Sequence, residues 1–209
     1  MIDLFLHLDV ELASLIANYG SWIYLILFTV IFVETGLVVM PLLPGDSLLF
    51  AAGTFAGIGA LNIYVLLGLL FVAAVMGDTC NYAVGKYFGL KVLSWTWRGR
   101  ALVNPNHIEK TQTFFIKYGS KTIVLARFVP IVRTFAPFVA GVGKMTYRKF
   151  ITYNIAGGFI WVLSLTLAGF YFGQMTLVKE NFEKVILGIV ALSILPIIIE
   201  VMTSKRKTN

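Results

Sequence analysis

Residues 125–143 read LARFVPIVRTFAPFVAGVG. Two arginines, Arg127 and Arg133, sit in an apolar run whose prolines, Pro130 and Pro137, argue against one uninterrupted helix. An earlier run has the opposite charge: residues 34–53, ETGLVVMPLLPGDSLLFAAG, carry Glu34 and Asp46 with Pro41, Pro44 and Gly45. Charges in apolar, helix-broken segments are costly to keep at membrane depth. They point to a functional site that handles charge there.

Working outward, the 209 residues are 58% hydrophobic and only 13% charged. Soluble domains are about a quarter charged. The composition therefore predicts an all-α polytopic membrane protein, since a spanning helix needs roughly 20 apolar residues. The short alternating strands of an outer-membrane barrel are missing from the sequence. All 17 lysines and arginines lie at or beyond Lys86, clustered between apolar segments. Basic loops stay cytoplasmic, so the net charge of +7 reads as membrane topology and not as a nucleic-acid surface.

Residues 1–18 carry Asp3, Asp9 and Glu11 and no basic residue, which makes a poor signal peptide. They are expected to form an amphipathic helix along the membrane. Spans are expected at 19–40, 61–87, 146–173 and 184–203. Residues 88–121 are expected to be a cytoplasmic loop with an amphipathic helix that starts at Pro105 and stops near Gly119. Residues 122–143 begin and end beside basic residues, Lys121 and Lys144, so a re-entrant hairpin entering from the cytoplasm is expected. By the same bookkeeping, 41–60 dips in from the opposite face. Each hairpin is followed by a span, which is the pattern of inverted repeats around a midplane site. A faint echo accompanies it: Gly85-Lys-Tyr-Phe-Gly89 against Gly169-Phe-Tyr-Phe-Gly173, and Ala51-Ala52-Gly53 against Val139-Ala140-Gly141. The C-terminus, with Lys205-Arg206-Lys207, is expected in the cytoplasm.

Arg127 and Arg133 are the candidate substrate-binding groups, because the guanidinium fork suits phosphate or carboxylate. Arg127 could instead reach the cytoplasmic surface. Glu34, Asp46 and Asp78 are candidate counter-ions or proton carriers, and Asp46 could also cap a helix. Pro41, Pro44, Gly45, Pro130, Pro137 and Gly141 are expected to shape the hairpins. His7 and His107 lack metal-ligand spacing, and Cys80 is the sole cysteine, so neither a metal nor a cofactor is expected. No phosphate loop, nucleophile elbow or metalloprotease helix occurs, so an enzyme is not expected.

Across nearly its whole length the chain resembles the bacterial DedA family of the SNARE-associated, or VTT-domain, superfamily. One signature is Glu34 followed by Pro41-Leu-Leu-Pro44-Gly45-Asp46. The other is Arg127-Phe-Val-Pro130-Ile-Val-Arg133 with Phe138-Val-Ala-Gly141. Gly77, Tyr82, Gly85, Phe150, Asn154, Gly158 and Trp161 also fall where the family has such residues. The resemblance implies two opposed re-entrant hairpins in the bacterial inner membrane. It further implies lipid translocation, with undecaprenyl phosphate as a candidate cargo, proton coupling in some members, and Glu34, Asp46, Arg127 and Arg133 as functional residues. Membrane lipids and protons are the expected partners. A proton-driven transporter of a soluble ion or drug, a phospholipid scramblase and a non-transporting scaffold stay open, as does the oligomeric state.

Overall fold

The structure, a computed structural model, describes residues 8–37, 45–94, 96–97, 100–101 and 105–180. Pro41, Pro44 and the expected span at 184–203 lie outside the described residues. The described chain is helical. Its helices are α1 (Leu8–Gly36), α2 (Gly45–Gly57), α3 (Ile63–Ser94), α4 (Pro105–Tyr118), α5 (Thr122–Ala126), α6 (Pro130–Val142), α7 (Tyr147–Gln174) and α8 (Thr176–Glu180). One departure from an all-helical chain is a two-residue antiparallel ladder, β1 (Thr96–Trp97) with β2 (Arg100–Ala101). Residues 63–89 and 147–174 are long and apolar enough to cross a membrane, with mean hydropathies of 2.0 and 1.8.

Local signals explain several boundaries. Asn62 caps α3: its Oδ1 accepts from the backbone N–H groups of Tyr64 and Val65 at 3.0 and 3.2 Å. Gly119, at φ 57°, ends α4. Pro130 opens α6, where its missing N–H costs nothing. Pro137 behaves otherwise: it lies inside α6 and does not break it. It deprives the Arg133 carbonyl of its usual intrahelical donor. Burial of Phe135, Ala136, Phe138 and Ala140 on both sides of it holds the helix together. The break in this segment is thus at 127–129 alone. There Arg127, Phe128 and Val129 donate to the carbonyls three residues back, at 3.3, 3.2 and 2.8 Å. These bonds tighten the chain into a turn between α5 and α6. At the N-terminus, α1 runs without interruption from Leu8 to Gly36, so no break separates the expected surface helix from the expected span.

The chain forms two compact units, one comprising Met1–Leu27, Pro44–Leu69 and Leu163–Asn209, the other Phe28–Leu43 and Leu70–Val162. In the first, α2 packs on the C-terminal half of α7 through glycine. A Cβ on Gly53 would overlap the Thr166 carbonyl, and one on Gly169 would overlap the Phe50 carbonyl. In the second, α6 packs on α3 in the same manner. A Cβ on Gly141 would overlap the Tyr82 carbonyl, and one on Gly85 the Phe138 carbonyl. The offsets match. In each unit the short helix's glycine sits against the residue three before its partner glycine, and the partner glycine sits against a phenylalanine three before the first. The echo in the sequence is therefore a repeated backbone-to-backbone contact, which only glycine allows at this separation. Each short helix packs on the long helix that belongs to the other half of the sequence.

In the second unit, Tyr82 stacks on Phe150 with ring centroids 4.4 Å apart and donates its hydroxyl proton to the Met145 carbonyl. Ile123, Val132 and Ala136 complete this core. It fixes α3, α5, α6 and the start of α7 around the break that carries the arginines.

Candidate functional site: a buried double ion pair

The site lies within the second unit. The end of α1 crosses α3 where Gly36 meets Gly77, with a Cβ on Gly36 only 3.5 Å from the Gly77 Cα. This close approach brings Glu34 and Thr35 beside Asp78 and Asn81, which share a face of α3. Asn81 is fully buried. Its Nδ2 donates to the Thr35 carbonyl at 3.2 Å and to the Thr134 carbonyl at 2.9 Å. One amide thus clamps the backbone next to Glu34 and the backbone next to Arg133.

Arg127 occupies the turn between α5 and α6 and is 5% exposed. Its Nη2 donates to Asp78 Oδ2 at 2.5 Å and to Asn154 Oδ1 at 2.6 Å. Asn154 in turn donates to the Val75 carbonyl at 3.1 Å, which orients its amide. Gly157 and Gly158 leave room for the guanidinium: Cβ atoms there would stand 3.3 Å from the Arg127 Cδ and Nε and 3.4 Å from its Nη2. Arg133, in the first turn of α6, donates from Nη2 to Glu34 Oε1 at 2.5 Å. The Trp161 ring, buried at 1% exposure, serves both arginines, with their Cζ atoms 5.5 and 4.7 Å from its centroid. Both lie within cation–π range. Asn154, Gly158 and Trp161 are three or four residues apart along α7 and so present one face to the two guanidiniums.

Two positive and two negative groups balance formally. Polar capacity is nonetheless left over. The Nε–H of Arg127 and Oδ1 of Asn81 are buried without a hydrogen-bond partner among the described residues. The 13-residue α6 has Val129 at its N-cap, which supplies no side-chain cap. Its first N–H groups therefore add partial positive charge at the turn where Arg127 sits. Guanidinium donors and helix N–H groups of this kind have the chemistry to match an oxyanion.

Of the residues expected from sequence, the structure brings together Glu34, Asp78, Arg127 and Arg133. Arg127 does not extend to a surface; it turns inward to Asp78. Asp46 belongs to the first unit. It lies in the first turn of α2 and is exposed. Sequence reasoning missed the roles of Asn154 and Trp161. A buried amide inside an apolar span and a tryptophan far from either helix end were the available signals.

The VTT domain pattern matches residues 43–171. The chain is 50% identical to Protein DedA of Escherichia coli (strain K12), over 99% of this chain and 94% of that protein. It is 41% identical to Uncharacterized membrane protein ML0287 of Mycobacterium leprae, over 81% and 75% of the two chains. It is 32% identical to Inner membrane protein YqjA of Escherichia coli (strain K12), over 85% and 78%. No solved structure matches it. With the long apolar helices, the buried ion pairs and these relatives together, the chain belongs to the DedA family of VTT-domain membrane proteins.

Proposed function

We propose that the protein is a transporter, not an enzyme, and that it carries a phosphate-headed lipid, undecaprenyl phosphate being the leading candidate, across the bacterial inner membrane. The observation that carries this reading is the pair of buried arginines, Arg127 bonded to Asp78 and Arg133 to Glu34, with Trp161 in cation–π range of both. Arginine stays charged under physiological conditions and matches phosphate with two parallel hydrogen bonds. The acids then act as place-holders: Asp78 and Glu34 hold the arginines when no phosphate is bound. Protonation of either acid releases its arginine for the ligand, which is a route to proton coupling. The uncapped start of α6 adds to the anion affinity. In this reading the α5–α6 segment is a re-entrant hairpin entering from the cytoplasm, where Lys121 and Lys144 flank it. The segment around α2 enters from the other side, as in an inverted repeat, and the C-terminus is cytoplasmic. Only the head group needs the polar path, while the tail stays in hydrocarbon.

Purified protein in liposomes tests this. Labelled undecaprenyl phosphate is expected to cross the bilayer faster with protein than without, and faster than phosphatidylcholine. An imposed pH gradient should change the rate. Equal movement of all phospholipids without a gradient would favour a scramblase. Wild-type transport by Arg133→Ala would remove Arg133 from the binding role.

A further inference from the structure

The second unit holds a cavity whose lining includes neither arginine. It measures about 520 Å³ and lies between α4 and the C-terminal half of α6. That is within the roughly 300–1,000 Å³ of small-molecule sites. Its floor is Phe138, Val139 and Ala140, all buried, and its wall is Ile108, Phe115 and Ile116. Ile116 is 87% exposed, so the wall also faces outward. Gln112 and Ser120 are its polar lining side chains. Lys121 follows Ser120, and Lys144 stands between the lining residues Gly143 and Met145; both lysines are exposed. Lys144 adopts φ 53°, with its N–H bonded to the Gly141 carbonyl at 3.0 Å. Glu109, next to Ile108, is the nearby acid, and Lys117 is turned onto the Tyr118 ring at 5.1 Å.

A mostly apolar trough whose lining segments adjoin two exposed lysines, Lys121 and Lys144, suits an amphiphile with a hydrocarbon chain and an anionic head. Membrane lipid is the abundant source of such a molecule at this position. Lys110, Lys117, Lys121, Lys144, Arg148 and Lys149 all belong to the segments that the basic-loop rule assigns to the cytoplasmic face. We propose that the groove between α4 and α6 binds the chain of an anionic membrane lipid, with its phosphate at Lys121 and Lys144. The floor of this groove is the helix that carries Arg133, so an occupied groove would hold a lipid beside the proposed transport path. Occupancy of the groove does not depend on the arginine cluster being a transport site.

The test uses the full-length protein in phosphatidylcholine nanodiscs. These contain a small fraction of phosphatidylglycerol with a photoreactive group in its acyl chain, or phosphatidylcholine labelled in the same way. After illumination, cross-links are mapped by peptide mass spectrometry. Label is expected in 108–120 and 138–145. The anionic probe should exceed the zwitterionic one by about fivefold or more, the effect of a single well-placed lysine. Ile116→Trp, which fills an already exposed wall, should lower that label several-fold. Lys121→Gln with Lys144→Gln should erase the head-group preference and leave the protein folded by thermal melt. Arg133→Ala should leave the groove label unchanged even if transport is lost, which separates this proposal from the transport reading. Label spread over all lipid-facing peptides, or indifferent to Ile116→Trp, would overturn it. So would equal labelling by both probes, or loss of label in Arg133→Ala.

Discussion

Asp78→Asn tests the central ion pair with almost no change of shape. In the wild type, Arg127 Nη2 is 2.5 Å from Asp78 Oδ2, and both side chains are 6% exposed. At that separation the gross attraction is about 7 kcal/mol for an effective dielectric constant of about 20. Desolvation of each ion opposes it by several kcal/mol, so the pair contributes little net against an apolar pair of equal volume. Breaking it from one side is different, because a buried guanidinium is then left in excess. That costs about 3–5 kcal/mol. Asparagine keeps an oxygen that can still accept from Nη2, so Asp78→Asn belongs near 3 and Asp78→Ala near 5 kcal/mol. At about 2–4 °C per kcal/mol for a chain of this size, the melting temperature in detergent should fall by about 6–12 °C for Asn. Adding Arg127→Gln to Asp78→Asn removes the excess charge. The double variant should regain part of the loss, with a coupling energy of about 2–3 kcal/mol. Thermal melts of the four proteins, followed by monodispersity on size exclusion, measure the cycle. If Asp78→Asn lies within about 2 °C of wild type, or the two changes simply add, Arg127 and Asp78 are not the coupled pair described.

Three further substitutions probe the packing of the two units, each by itself. Asn81→Asp removes the amide that donates to Thr35 and Thr134 and sets a carboxylate against two carbonyl oxygens; a loss of about 2–4 kcal/mol is expected in the same melt. Gly141→Val pushes a side chain into the Tyr82 and Lys86 backbone, so α6 must leave α3. Destabilisation should reach about 3 kcal/mol or more, and lipid transport should fall with it. Thr166→Val goes the other way. The Thr166 hydroxyl is buried without a partner among the described residues, so the isosteric valine should be neutral or stabilising by up to about 1 kcal/mol.

Much of the site was legible because charge in an apolar run is conspicuous. Arg127, Arg133, Glu34 and Asp78 could each be named from the chain alone. Their pairing could not. Asp46 has the same charge as Asp78 and sits in the more suggestive proline-glycine context, yet Asp78 is the residue beside Arg127. Which acid meets which arginine depends on where helices cross, here on Gly36 against Gly77. Trp161 reads in sequence as one more aromatic in a span. Its role exists only because two guanidiniums from one broken segment arrive at its ring.

Composition, the placement of basic residues and proline chemistry are local or additive properties. They were enough to determine a helical membrane chain, a broken arginine segment and the glycines of a repeat. Tertiary structure decided the rest. It put the break at 127–129 and carried α6 through Pro137. It packed each short helix on the long helix of the other half and set Asp78 against Arg127. These outcomes depend on contacts between residues dozens of positions apart, where backbone fit at glycine and the cost of an unpaired buried charge select one arrangement. Neither quantity is a property of any segment taken alone.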